Sequence, residues 1–172
     1  SDKTLCKVIP IVYSIISHKG EEVVAPTLLV HDKPKKTISL TYKKEKPTLS
    51  LLRGFSSPVI VEFKQPASDL KNILANEKDF TSIWLAKDKL DYLCLQKFIE
   101  EDSEANAFVK DFVETLTRNK RNLGLLSKLI TPPTEQEYFN KLCSTDKHID
   151  PERLVSNLKA YKDQFSREIY DF

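Results

Sequence analysis

Methionine is missing from the 172-residue sequence altogether, and glycine, cysteine and histidine occur three times each. With only Gly20, Gly54 and Gly124, neither G-x-G-x-x-G nor G-x-x-x-x-G-K-[ST] can be written, which excludes nucleotide-phosphate cradles in their usual forms. Gly54-Phe55-Ser56-Ser57 lacks the second glycine that a nucleophile elbow places after its serine. Cys6, Cys94 and Cys143 are odd in number, lie far apart and include no C-x-x-C pair, so they read as buried free thiols in a reducing compartment. His18, His31 and His148 are followed by Lys, Asp and Ile, and no two stand three to five residues apart. A zinc site of the H-E-x-x-H type therefore cannot form within this chain, and each histidine, set beside turn residues, reads as solvated. No apolar run approaches the roughly 20 residues of a membrane-spanning helix, and the opening Ser-Asp-Lys-Thr is unlike a signal peptide. The expectation is a soluble cytoplasmic chain with no membrane partner. The missing methionine at position 1 fits an excised fragment and equally a processed start.

What is present divides near Pro66. Residues 1–66 hold 11 Lys/Arg against 6 Asp/Glu and six of the nine prolines, whereas residues 67–172 hold 16 against 19. The first part has short β-branched and aromatic runs between turn residues. Leu5–Ser17 is rich in Val and Ile, and His18-Lys19-Gly20-Glu21 reads as a turn. Val23-Val24 and Leu28-Leu29-Val30 bracket Pro26, which marks an edge strand or a break because it cannot donate to a ladder. Thr37–Tyr42 alternates at period two, and Val59–Phe63 reads as a further strand. Five or so short strands with no helix between them predict an antiparallel β-sandwich over 1–66.

From Ala67 the period becomes 3.6, and residues 67–172 read as an array of six helices. Ser68 is expected to cap the first, which carries Leu70, Ile73 and Leu74. The second presents Phe80, Ile83, Trp84, Leu90, Leu93, Cys94 and Phe98. The third runs from Ala105 to Leu116, and a short fourth carries Leu125 to Ile130. Thr134-Glu135-Gln136-Glu137 is a capping box opening the fifth, and Asp150-Pro151 opens a sixth through Leu154, Leu158, Tyr161, Phe165 and Ile169. The last apolar stripe continues to the final residue without a glycine cap, as in a truncated array.

Two readings stand at Lys33, Lys35, Lys36, Lys43, Lys44 and Lys46 around Tyr42. A nucleic-acid surface would use such charge and such an aromatic, and lysines flanking an exposed strand discourage edge pairing. The net charge of +2 and the absence of arginine from the stretch favour the second, with no nucleic-acid partner. Glu100-Glu101-Asp102 and Glu104 read as helix-terminal acids and lack the spacing and glycine of a calcium loop. Trp84, on the apolar face with Phe80, is expected in the core at a domain junction.

The segment Pro47-Thr48-Leu49-Ser50-Leu51-Leu52-Arg53-Gly54-Phe55-Ser56-Ser57-Pro58-Val59 resembles a signature of the aminopeptidase N family of gluzincin zinc peptidases. In the bacterial alanyl-aminopeptidase branch it reads approximately P-S-L-L-R-G-F-S-A-P-V. Ile9-Pro10-Ile11, the hairpin through Gly20, Asp79-Phe80 with Trp84, Pro132-Pro133-Thr134-Glu135 and Ile149-Asp150-Pro151 extend the likeness from about residue 9 to about residue 165. Ile83 and Leu85 depart from it, since the family usually has an arginine before the tryptophan and an acidic residue after. In physical terms Gly54 permits a bend, Pro58 closes the turn into the last strand, and Arg53 and Phe55 are expected on one side, fastening the sandwich to a neighbour.

The resemblance implies a small Ig-like β-sandwich (residues 1–66) followed by the start of an α-helical cap (residues 67–172), both lying after a catalytic domain. There an H-E-x-x-H zinc site would release N-terminal residues from peptides. No catalytic, cofactor-binding or metal residue is expected here, and zinc is expected in the catalytic domain of the parent. The expected partners are that catalytic domain and, for the parent, peptide substrates, with self-association of the isolated piece. The implied role is to shape and gate the active site; the alternative is a stand-alone interaction module without peptidase activity.

Overall fold

The computed structural model describes residues 8–39, 46–118, 123–143 and 150–171. These form two compact units, Ser1–Leu85 and Ala86–Phe172.

The first unit is built on β1 (Ile9–Ile16), flanked by β2 (Glu22–His31) and β3 (Thr48–Leu51) in the order β2-β1-β3. Both pairings are antiparallel. On one side Ile9 faces His31 and Tyr13 faces Thr27; on the other Tyr13 faces Leu51 and Ile16 faces Thr48. The β-branched residues favour this pleated backbone, and the central strand buries Tyr13, Ser14, Ile15 and Ile16. The register with β2 slips between Tyr13 and Ile15, which face Thr27 and Val24, so Ala25 and Pro26 fall in a bulge where the missing proline N–H breaks no ladder bond. Among the described residues β2 is an edge strand, in keeping with Pro26.

The β1–β2 turn is held by Ser17, whose Oγ accepts from the amides of Lys19 (3.2 Å) and Glu21 (3.1 Å). Gly20 lies at φ 79°, and a Cβ there would meet Asn76 Oδ1 at 2.9 Å. Asn76 belongs to α1 (Ala67–Asn76), which packs on the sheet through Leu70, Ile73 and Leu74. Asn72, on the same helix, donates to Thr48 Oγ1 (2.8 Å) and to the Ser17 carbonyl (3.3 Å).

Three expectations are corrected here. Val59–Phe63 is not a strand among the described residues: Val59 turns its amide back to the Ser57 carbonyl (2.9 Å) around Pro58. Residues 37–39 are exposed and outside any strand, and the rest of that expected strand lies outside the described residues. Ser68 does not cap α1, because the Pro66 carbonyl takes the first amides, of Asp69 (3.0 Å) and Leu70 (3.2 Å).

All six expected helices form. α2 (Phe80–Ile99) continues into the second unit, which also holds α3 (Ala105–Arg118), α4 (Leu123–Leu129), α5 (Glu135–Cys143) and α6 (Pro151–Tyr170). The Thr134 capping box closes as expected: the Thr134 amide donates to Glu137 Oε2 (2.7 Å) and the Glu137 amide to Thr134 Oγ1 (3.3 Å). Asp150 caps α6 by accepting from the Glu152 amide (3.1 Å), with Pro151 in the first turn. The core of this unit is aromatic, with Phe112, Tyr138, Tyr161 and Phe165 buried; Phe112 and Phe165 lie 5.9 Å apart, and Tyr138 meets Tyr161 edge-on at 6.4 Å.

Candidate functional site

The Arg53–Pro58 string leaves β3 through an unusual backbone. Leu52 (φ 59°), Gly54 (φ 63°) and Phe55 (φ 54°) all lie in the left-handed region, which costs a residue with a Cβ about 1–2 kcal/mol. Only Gly54 takes it without that cost. The string is then stitched back onto the strands. Ser56 Oγ accepts from the Val12 amide (2.9 Å), and Ser57 Oγ donates to the Pro10 carbonyl.

Arg53 and Phe55 diverge, contrary to the expectation that they share a side. The Arg53 guanidinium turns inward to Glu77, at 3.0 Å, and lies 3.6 Å from Glu22. Glu77 is the buried residue that ends α1; its Oε1 also accepts from the amides of Lys78 (2.7 Å) and Asp79 (3.2 Å), and its Oε2 accepts from the Ser14 hydroxyl (3.4 Å). A carboxylate so deep needs this many partners to offset its desolvation. Phe55 instead faces out, 66% exposed.

Next to Glu77, Asp79 serves two masters. Its Oδ1 accepts from the amide (2.9 Å) and hydroxyl (3.0 Å) of Ser82 and so caps α2, while its Oδ2 accepts from the Gly54 amide (3.0 Å). The string and the start of α2 are thereby held to each other. Trp84, expected in the core, is 41% exposed and stacks on Phe80, itself 46% exposed, with ring centroids 6.4 Å apart. The buried face of α2 runs instead through Ile83, Ala86, Leu90 and Cys94, and it carries two charged residues, Lys87 and Asp91.

Those two form a second polar cluster, within the helical unit. Lys87 Nζ stands 2.7 Å from Asp91 Oδ2 and donates to the Thr131 carbonyl (2.6 Å). The Tyr161 hydroxyl donates to Asp91 Oδ1 (2.5 Å), and the Tyr138 hydroxyl to the Asp91 carbonyl (2.8 Å). Burial raises the Asp91 carboxyl to about 6 against the opposing pull of Lys87, and burial, then the adjacent Asp91, raises both tyrosines above their ordinary value. The cluster ties α2 to the end of α4, to α5 and to α6.

The remaining candidates take ordinary places. His18 is exposed in the β1–β2 turn and His31 ends β2, half-buried; His148 lies outside the described residues. Cys94 is buried and forms no disulfide, and Cys6 and the Cys143 side chain lie outside what is described. Lys36 donates to the Val30 carbonyl (2.5 Å) and approaches Asp32 (3.4 Å), while Tyr42, Lys43 and Lys44 lie outside the described residues. In the acidic run, Asp102 accepts from the Glu104 amide (2.8 Å) just before α3 and pairs with Lys97 (2.5 Å), and Glu101 pairs with Arg153 (2.7 Å). Among the described residues no three His, Cys, Asp or Glu side chains come together as a metal site requires. No described helix is long and apolar enough to cross a membrane.

Residues 1–64 match a family described as a domain of unknown function (DUF3458) with an Ig-like fold. Over 99% of its length the chain shares its fold with aminopeptidase A of Legionella pneumophila, solved in complex with aspartic acid, with a TM-score of 0.73 and 22% sequence identity. The chain spans 20% of that protein's length. Both findings agree with the Ig-like and helical fold that the resemblance implies.

Proposed function

We propose that this chain is a C-terminal portion of an aminopeptidase N-like enzyme and that it shapes the approach to a catalytic domain without cleaving bonds itself. The observation that carries the reading is the joint occurrence of the Ig-like match over 1–64 and a fold shared along 99% of the chain with a solved aminopeptidase. The Arg53–Val59 string, which carries the resemblance, lies inside the matched residues.

The zinc that the resemblance implies for the parent has no fitting ligands here. His18, His31 and His148 are too far apart in sequence for a two-histidine helix motif, and no group of metal-binding side chains occurs among the described residues. Hydrolysis of the peptide bond belongs to the parent's catalytic domain, with N-terminal residues of peptides as substrate. The contribution of this chain is architecture: the Ig-like unit as a spacer and the helices as part of a cap restricting access to peptide ends. The setting is cytoplasmic. As an isolated piece the chain self-associates through exposed apolar surface, such as Phe139 and Val155, which flank a cavity of about 200 Å³ also lined by Glu135 and Gln136.

The intact mass of the natural polypeptide, captured with an antibody against this region, tests the reading. A mass several times 19.8 kDa is expected. A natural chain of about 19.8 kDa would overturn the proposal in favour of a stand-alone interaction module. Gating has its own test: removal of the helices from the parent should narrow the difference in rate between small aminoacyl substrates and long peptides, and an unchanged ratio argues against a cap.

A further inference from the structure

α3 and α6 pack on each other in the helical unit, and they carry the same apolar spacing. α3 buries Ala105, Val109, Phe112 and Leu116, and α6 buries Leu154, Leu158, Tyr161 and Phe165, each at steps of four, three and four residues. Such stripes attract without choosing a register. A slide of α6 by one turn, about 5.4 Å, sets Leu158 or Phe165 where Tyr161 stood and again leaves apolar against apolar. Thr117, the buried polar residue of α3, donates its hydroxyl to the Val113 carbonyl of its own helix (2.9 Å) and so marks no register.

Among the buried residues of α6, Tyr161 alone carries a polar atom on its side chain. We infer that the bond from the Tyr161 hydroxyl to the Asp91 carboxylate is a register lock, which selects one axial setting of α6 from several that apolar packing alone would allow. The lock belongs to this chain's own helices and does not depend on the proposed function.

Asp91 is wholly buried on α2. Its Oδ1 accepts from Tyr161 (2.5 Å), and its Oδ2 stands 2.7 Å from Lys87 Nζ, which balances the charge. A displaced α6 would bring Leu158 or Phe165 to Oδ1, and neither has a donor. A buried carboxylate oxygen without a donor costs its full desolvation, so the wrong settings are excluded. The Tyr138 hydroxyl, bonded to the Asp91 carbonyl (2.8 Å), ties α5 to the same point of α2. Arg153 also reaches from α6 to Glu101 (2.7 Å), but both ends of that pair are more than half exposed, and water replaces it at little cost. Because burying the charges offsets what their pairing returns, the lock supplies specificity and not net stability.

Amide NMR of the 172-residue chain tests this. Lys87→Met, Asp91→Leu and Tyr161→Phe together remove the lock and keep the space filled with apolar groups. The unchanged chain should give one set of α6 resonances and a nuclear Overhauser contact between the Phe112 and Phe165 rings. The triple variant should stay folded, with a urea midpoint no lower, and show a second α6 set of about a tenth of the intensity or more. One set with the Phe112–Phe165 contact intact overturns the lock, and an unfolded or weakened triple variant overturns it in favour of a plain stabilising cluster. Tyr161→Phe alone should also give the second set, whereas Lys87→Met alone, which leaves the hydroxyl bond in place, should give one. The reverse pattern would transfer the choice of register to the charge pair and overturn the inference.

Discussion

Arg53 Nη2 lies 3.0 Å from Glu77 Oε1, with the Glu77 side chain only 1% exposed, so the signature arginine neutralises the carboxylate that ends α1. Removing one partner from such a pair leaves a buried charge uncompensated. Arg53→Met should destabilise the chain by about 3–5 kcal/mol in chemical denaturation. Replacing both at once, Arg53→Met with Glu77→Leu, should cost less than the single change, and a larger cost for the double variant would refute this account.

Gly20 and Gly54 are both left-handed, yet they should respond unequally to alanine. At Gly54 nothing lies within 4 Å of the place an added methyl would take, so Gly54→Ala costs only the backbone term, about 1 kcal/mol. At Gly20 the methyl also collides with Asn76, which anchors α1 to the turn, and the loss should be larger. Equal midpoints in urea for the two variants would show that the turn yields without disturbing α1.

Phe55→Gly should stabilise this chain by about 1 kcal/mol, since it relieves a left-handed aromatic residue and gives up little buried surface. Differential scanning calorimetry of the two proteins reads this directly. A destabilised variant would mean that the ring contributes more packing within the chain than its exposure implies.

Asp91 should titrate near 6 in the folded chain, from an ordinary value of 3.8, as burial raises it. The sign follows from proton affinity: the folded state holds this proton more tightly than the unfolded state. The contribution of Asp91 to stability is therefore fully present below about 3.8 and is lost as pH rises through about 6. Asp91→Asn should flatten that part of the stability profile, and carboxyl-carbon NMR should place the midpoint. A midpoint near 3.8 would show that Lys87 and Tyr161 offset burial in full.

Asp150→Ala should cost about 1 kcal/mol, with fraying confined to the first turn of α6, because one side-chain oxygen satisfies the Glu152 amide. Hydrogen exchange at the start of α6 checks the location.

The helices were legible because their cues are local. A capping box, an Asp-Pro start and apolar residues at 3.6 spacing act within a few residues, and Thr134, Asp150 and the α6 stripe all sit where those cues put them. In the Arg53–Val59 string only the bend at Gly54 was legible, since the strand expected after Pro58 does not form among the described residues and Arg53 and Phe55 diverge. The Lys87–Asp91 pair carries a fainter signal: opposite charges four residues apart on the same face as Ile83, Leu90 and Cys94. Charges on an apolar face are tolerated only when partners from other helices meet them, and Tyr161 is 70 residues away in sequence from Asp91.

By itself, then, the sequence determined the change from strands to helices near residue 66, the starts of α5 and α6 and the absence of an H-E-x-x-H motif, since these depend on composition, period and spacing. Only the tertiary structure decided that α1 packs with the sheet, that Arg53 points inward while Phe55 points out, and that Trp84 lies at the surface. Each of those depends on which distant group a side chain meets, and a burial or a charge pair made across tens of residues has no local sequence pattern to announce it.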